Sequence, residues 1–260
     1  MQRFWRDMPT TAFNGDTSQW IAVLPVAAIE QHGPHLPVGV DSIIAEGLVE
    51  RSAEALPADS PAVFLPVQQI CKSNEHITFP GTLTLDWETT IKSWLDIGDS
   101  IARAGLRKLL IITSHGGNIA PMEIVARELR AHHDMLVVTT SWEKLGPPRK
   151  EPEDGSAFVD IHGGDFETSI MLALRPDLVE MPKARDFASS QSKLKATHRH
   201  LGYHSSDANI AWLSQDLNAA GVVGDAASAS AEQGEDIMSM MVANFSRLIE
   251  EIAQTAPTSR

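Results

Sequence analysis

Between Ile29 and Asp41 the chain sets four side chains able to ligate a metal, Glu30, His32, His35 and Asp41, within thirteen residues. In an extended chain, residues two apart point to the same side, so Glu30 and His32 share a face before the Gly33-Pro34 turn reverses direction. Carboxylate and imidazole on one face suit zinc, manganese or iron. The alternative for such groups is hydrogen bonding and capping at loop ends. Further along, His115 follows an apolar run, and His162 precedes the glycine pair Gly163-Gly164 and the acid Glu167.

These residues need elements to hold them. Residues 20–29 form an apolar run that predicts a buried strand, with Glu30 where it ends. Helical spacing follows over 42–56 and a second strand over 62–67. Residues 71–84 read as loop, and Asp86 is placed to cap a helix reaching about Ala104. Residues 109–113 form a continuous apolar run between Lys108 and Ser114-His115, the pattern of a parallel strand covered on both faces. A helix over 120–132, a strand over 135–140, an exposed excursion over 143–155, a helix over 165–174 stopped by Pro176, a polar stretch over 184–209 and an amphipathic helix over 232–253 complete the chain. The alternation predicts an α/β fold, a single-domain three-layer α/β/α sandwich with a mostly parallel central sheet. In such sheets ligands bind beyond the carboxyl ends of the strands, which is where Glu30, His32 and His115 fall.

At 260 residues with a 43% hydrophobic share, the chain has the size and composition of one globular domain. No run approaches the roughly eighteen apolar residues of a membrane span. The first residues turn polar before the apolar core of a signal peptide develops, and one cysteine forms no internal disulfide, so a cytoplasmic setting is expected. A net charge of −13 argues against nucleic-acid and anionic-membrane partners.

The stretch from Glu30 to Asp41 resembles the signature of the creatininase family of metal-dependent amidohydrolases. Three later stretches fit the same family in the same order: 75–82, 114–118 and 162–169. The resemblance implies two divalent ions (Zn, Mn or Fe), one held by Glu30, Asp41 and His115, the other by His32 with a bridging Asp41. It implies a homohexamer, and makes His162 the histidine that moves a proton near the substrate. Two departures stand out. Creatinine-hydrolysing members carry a tyrosine-glutamate pair, the glutamate being a ligand, where this chain has Gly116-Gly117. They also carry tryptophan where this chain has Phe158. Glu167 is the expected replacement ligand or a catalytic base, its other reading being a helix N-terminal acid that complements the dipole. Other branches with Gly-Gly include formamide hydrolases and peptidases that trim a peptide end.

The expected activity is therefore hydrolysis of the C–N amide bond of a small cyclic amide or formamide by metal-activated water. A peptidase, or a non-catalytic metal or small-molecule binding protein, is the alternative. Ser73 and His76 are expected to line the pocket, and Trp142 to be either an aromatic wall or a core residue. Ser114 lacks the G-x-S-x-G context of a nucleophile. Cys71 has no assigned role, and His198, His200 and His204 are expected at the surface or at a subunit contact.

Overall fold

An apolar run without polar alternation is stable as a strand only when both its faces are covered. The computed structural model describes residues 2–148 and 160–257, and it places β1 (Ile21–Val26) at such a position, all six residues buried. β2 (Ala62–Phe64), β3 (Lys108–Thr113) and β4 (Leu136–Ser141) complete a sheet of order β2-β1-β3-β4 in which every pairing is parallel. Ile21 pairs with Lys108 and Val26 with Thr113, so β1 and β3 end level.

The helices are α1 (Val40–Ala55), α2 (Trp87–Arg103), α3 (Ile119–His133), α4 (Trp142–Leu145), α5 (Asp165–Leu174), α6 (Gln191–Lys195), α7 (Ser214–Leu217) and α8 (Ala231–Gln254). Side chains alternate across the sheet as the period of two requires. Ile21, Val23, Leu110 and Ile112 pack with Leu48 of α1, Ile170 of α5 and Met241 and Phe245 of α8. Ala22, Leu24, Leu109 and Ile111 face the opposite way, onto Trp94 and Ile101 of α2 and Val125 and Leu129 of α3. The three-layer α/β/α sandwich expected from the sequence is thus observed. Because β1 leads to a helix on one face and β3 to a helix on the other, their carboxyl ends border the crevice where such folds bind ligands.

Several local expectations are corrected. The second strand stops at Phe64, since Pro66 has no N–H for the ladder. Asp86 stands at the N-cap of α2 without a side-chain cap bond; its backbone oxygen accepts from Thr90 N at 2.9 Å instead. The polar stretch over 184–209 contains, besides α6, the short strands β5 (Asp186–Phe187), β6 (Leu201–Gly202) and β7 (Ala208–Asn209). β5 pairs antiparallel with β8 (Gly224–Asp225). Of the excursion over 143–155, residues 149–155 lie outside the described residues. At the far end of the sheet the buried Lys108 donates through Nζ to Ile252 O at 3.0 Å and Ala253 O at 2.7 Å, fastening the end of α8. Among the described residues no helix is long and apolar enough to cross a membrane.

Candidate metal centre

Two glycine turns bring the histidines together. Gly33 and Gly163 adopt φ of 69° and 68°, a region L side chains rarely enter. A Cβ would meet Val222 Cγ1 at 2.8 Å from Gly33 and at 2.6 Å from Gly163. Val222, fully buried, fits between the two bare turns. Next to it Val223 bridges His162, and Gln31 Nε2 donates to Gly221 O at 2.6 Å. The rings of His32 and His162 consequently lie 4.1 Å apart, and those of His76 and His162 4.2 Å apart.

Beneath this stack, acceptors converge on one another. Glu30, with no exposed surface, accepts from Ser73 Oγ at Oε2 (2.6 Å), which turns Oε1 toward His115 Nδ1 at 3.2 Å. Ser114 Oγ donates to Asp41 O at 2.8 Å and ties the first turn of α1 to the end of β3. Glu30, Asp41 and His115 each offer a ligand atom within 4.8 Å of the others. A second group is His32, Asp41 and Glu167. His32 Nδ1 lies 3.1 Å from Glu30 O, so it carries the proton, and Nε2 presents its lone pair 3.8 Å from Asp41 Oδ2 and 3.6 Å from Glu167 Oε2. Glu167 Oε2 is held by Gly163 N at 2.6 Å.

Glu30 Oε1, His32 Nε2 and Asp41 Oδ2 are buried and have no hydrogen-bond partner. An unsatisfied buried polar atom costs about 1–3 kcal/mol. Three of them facing one another, all acceptors, fit cations. The electrostatics agree. Burial, then Glu30, pushes the Asp41 carboxyl well above its usual range. Burial alone would lower His115, but Glu30, Glu75 and Asp41 outweigh it and the ring holds a proton well above its usual range. His32 is kept neutral by burial and by His162. A buried carboxyl crowded by a second one and held above its usual range, as Asp41 is beside Glu30, is the state a divalent ion relieves.

Tautomers follow from fixed neighbours. Gln31 Oε1 accepts from Gly33 N at 3.0 Å, so its amide nitrogen faces Gly221 O and also His76 Nδ1 at 2.8 Å. His76 Nδ1 is therefore an acceptor, and its protonated Nε2 lies 3.4 Å from Glu30 Oε1 without a hydrogen bond to it. His162 Nε2 lies 2.7 Å from Gln31 O, a carbonyl that can only accept, so the proton sits on Nε2 and Nδ1 is free to take one, 3.5 Å from Glu30 Oε1.

The structure brings Glu30, His32, Asp41, His115, His162 and Glu167 together, with Ser73 and His76 around them. His35 is different: its Nε2 contacts Gly163 O at 3.0 Å and Thr168 Oγ1 at 3.1 Å, and its ring stacks on Phe187, so it braces the second glycine turn. Trp142 is a core residue stacked on Phe245, not a pocket wall. Cys71 is buried, its thiol pushed up to about 12 by burial, and is no nucleophile. His198 and His200 are exposed, the latter paired with Asp207 at 2.6 Å, while the ring nitrogens of His204 are buried. Phe158 lies outside the described residues. A Cβ at Gly116 would meet open space, but at Gly117 it would collide with Glu75 Oε1 and His115 Nε2. Glu75 is the site residue the sequence reading missed; its one signal was a carboxylate adjoining His76 at the head of a family motif.

The family described as "Creatininase: creatinine amidohydrolase" matches residues 6–249. A creatinine amidohydrolase of Pseudomonas putida is 34% identical over 70% of this chain and 74% of its own length. A mycofactocin precursor peptide peptidase of Mycobacterium ulcerans is 29% identical over 86% of this chain and 83% of its own. Among solved structures, a manganese creatininase aligns with a TM-score of 0.75 at 27% identity, covering 98% of this chain and 100% of that one. A zinc–zinc creatininase variant aligns with a TM-score of 0.73 at 28% identity over the same shares. With a family match spanning nearly its whole length, and acceptor clusters suited to divalent ions, this chain belongs to the creatininase family of hydrolases.

Proposed function

We propose that the chain is a metal-dependent amidohydrolase that cleaves the C–N bond of a small cyclic amide or formamide. The observation that carries the reading is the pair of acceptor clusters sharing Asp41, with the basic nitrogen of His162 turned toward them. In this reading Glu30, Asp41 and His115 hold one divalent ion, and His32, Asp41 and Glu167 hold the other, the metal being zinc, manganese or iron. Ions held by these residues would lower the pKa of bound water toward neutrality and polarise a carbonyl oxygen.

The chain's own groups do the rest. His162 takes a proton at Nδ1 and returns it to the leaving nitrogen, while Gln31 O keeps its other nitrogen protonated. Ser73 holds Glu30 in one orientation. Gly163 N donates to Glu167 and fixes its carboxylate against His32. The 260 residues are read as one cytoplasmic domain, assembled as a homohexamer.

A peptidase is the second reading, favoured by one finding: the mycobacterial peptide peptidase aligns over more of this chain than the Pseudomonas creatinine amidohydrolase does. Protein stripped of metal, reloaded with manganese or zinc and offered lactams, formamides and short peptides separates the readings. Turnover of a lactam or formamide is expected, with creatinine a poor substrate. Cleavage of peptides alone transfers the assignment to the peptidase reading. Full metal uptake without turnover of any class would leave a binding protein.

A further inference from the structure

His115 has a neighbour at each ring nitrogen. Nε2 lies 2.9 Å from Lys72 O and 3.1 Å from Glu75 Oε1, whereas Nδ1 lies 3.2 Å from Glu30 Oε1. A backbone carbonyl can only accept, so Nε2 bears the hydrogen. The nitrogen left for a metal is Nδ1, on the side of Glu30 and Asp41. Glu75, in the 3-10 turn Asn74–His76, comes from a different loop than either strand end. It reaches Nε2 because nothing stands at position 117: a Cβ there would strike Glu75 Oε1 and His115 Nε2 and would lie 2.9 Å from Lys72 O. A carboxylate on the far nitrogen of a metal-binding imidazole fixes the ring and raises its basicity.

We propose that Glu75 is the positioning residue of His115, and that Gly117 lacks a side chain in order to seat it. The inference rests on the metal reading above. A side chain at 117 and the carboxylate of Glu75 exclude each other in space, so the loop reaches the far nitrogen of His115 only where position 117 is bare. With Glu30, Asp41 and Glu167, Glu75 also brings the carboxylates around the centre to the number that balances two divalent ions.

The test uses the full chain, stripped with chelator and titrated with Mn2+ alone, with binding followed by the loss of free-ion resonance and the metal-free protein melted in parallel. Glu75→Ala is expected to weaken one of two ions about 10–100-fold, leaving the other within threefold and the metal-free melting temperature near the parent's. Glu75→Gln, whose amide oxygen still accepts from Nε2, should recover part of that loss. Gly117→Ala should weaken the same ion by displacing the carboxylate and the ring. The proposal is overturned if Glu75→Ala binds like the parent, if both ions weaken equally, or if Glu75→Ala and Glu75→Gln lower the metal-free melting temperature without changing affinity. A parent that takes up no Mn2+ would instead remove the metal reading itself.

Discussion

The hydroxyl of Ser73 gives a direct measure of how tightly the centre must be held. Neither Ser73 nor Glu30 has exposed surface, and their oxygens are 2.6 Å apart, a short bond to a charged acceptor. Such bonds contribute about 1.5–3 kcal/mol, which would be about 10–150-fold if expressed wholly in the metal-loaded state. Part cancels, because the same bond exists before metal enters. What remains is the orientation of Oε1, the oxygen facing His115 Nδ1, and Ser73→Ala is therefore expected to cost about 10–100-fold in affinity. The loss should fall on one ion only, since Ser73 bonds to Glu30 and not to His32, Asp41 or Glu167. Calorimetric titration of the stripped protein with Mn2+ resolves this, with Ser73→Thr as a control that keeps the hydroxyl. An alanine variant with both affinities inside threefold of the parent, or with both lowered alike, would refute the orienting role.

His162→Gln should retain metal while slowing turnover by about a hundredfold or more, the usual worth of a positioned acid or base; an unchanged pH–rate profile would exclude it from the reaction. Glu167→Gln should weaken the ion near His32 and spare the one near His115, read from metal content after dialysis. Lys108→Met removes two charge-assisted bonds to the end of α8, a loss of about 1.5–3 kcal/mol and roughly 3–12 °C in melting temperature; a shift under about 1 °C would contradict that fastening role. Burial holds the His35 pKa below its unfolded value, so its contribution is complete above about pH 6.5 and is lost as pH falls, by at most about 1.4 kcal/mol per unit. Denaturant titrations of His35→Gln and parent should therefore converge below pH 6.

Elements whose stability depends on a continuous apolar run or a helical period were legible in the sequence: β1, β3, α5 and α8 fall within a residue or two of where composition places them, except that β1 stops short of its run. The convergence of Glu30, His32, Asp41 and His115 was legible too, because strand ends in a parallel sheet collect such side chains. His35 looked equivalent to His32, but the Gly33-Pro34 turn carries it to the far side, against Gly163. Glu75 was not legible as a partner of His115, since their meeting depends on a missing side chain at 117. The role of Val222 was hidden for a related reason: a short apolar pair in a loop carries no periodic signal, and the partners of Val222 are two distant glycines.

That valine has a consequence for the order in which the protein matures. Gly33 and Gly163 lean on a side chain at position 222, and Gln31 leans on the carbonyl of Gly221. During synthesis the first histidine turn emerges long before its wedge does, and chains fold as their parts become available. A nascent chain ending before Gly221 carries the Gly33 and Gly163 turns without the side chain that fits between them. The closing of the two turns on each other is thereby deferred until almost the whole polypeptide has been made.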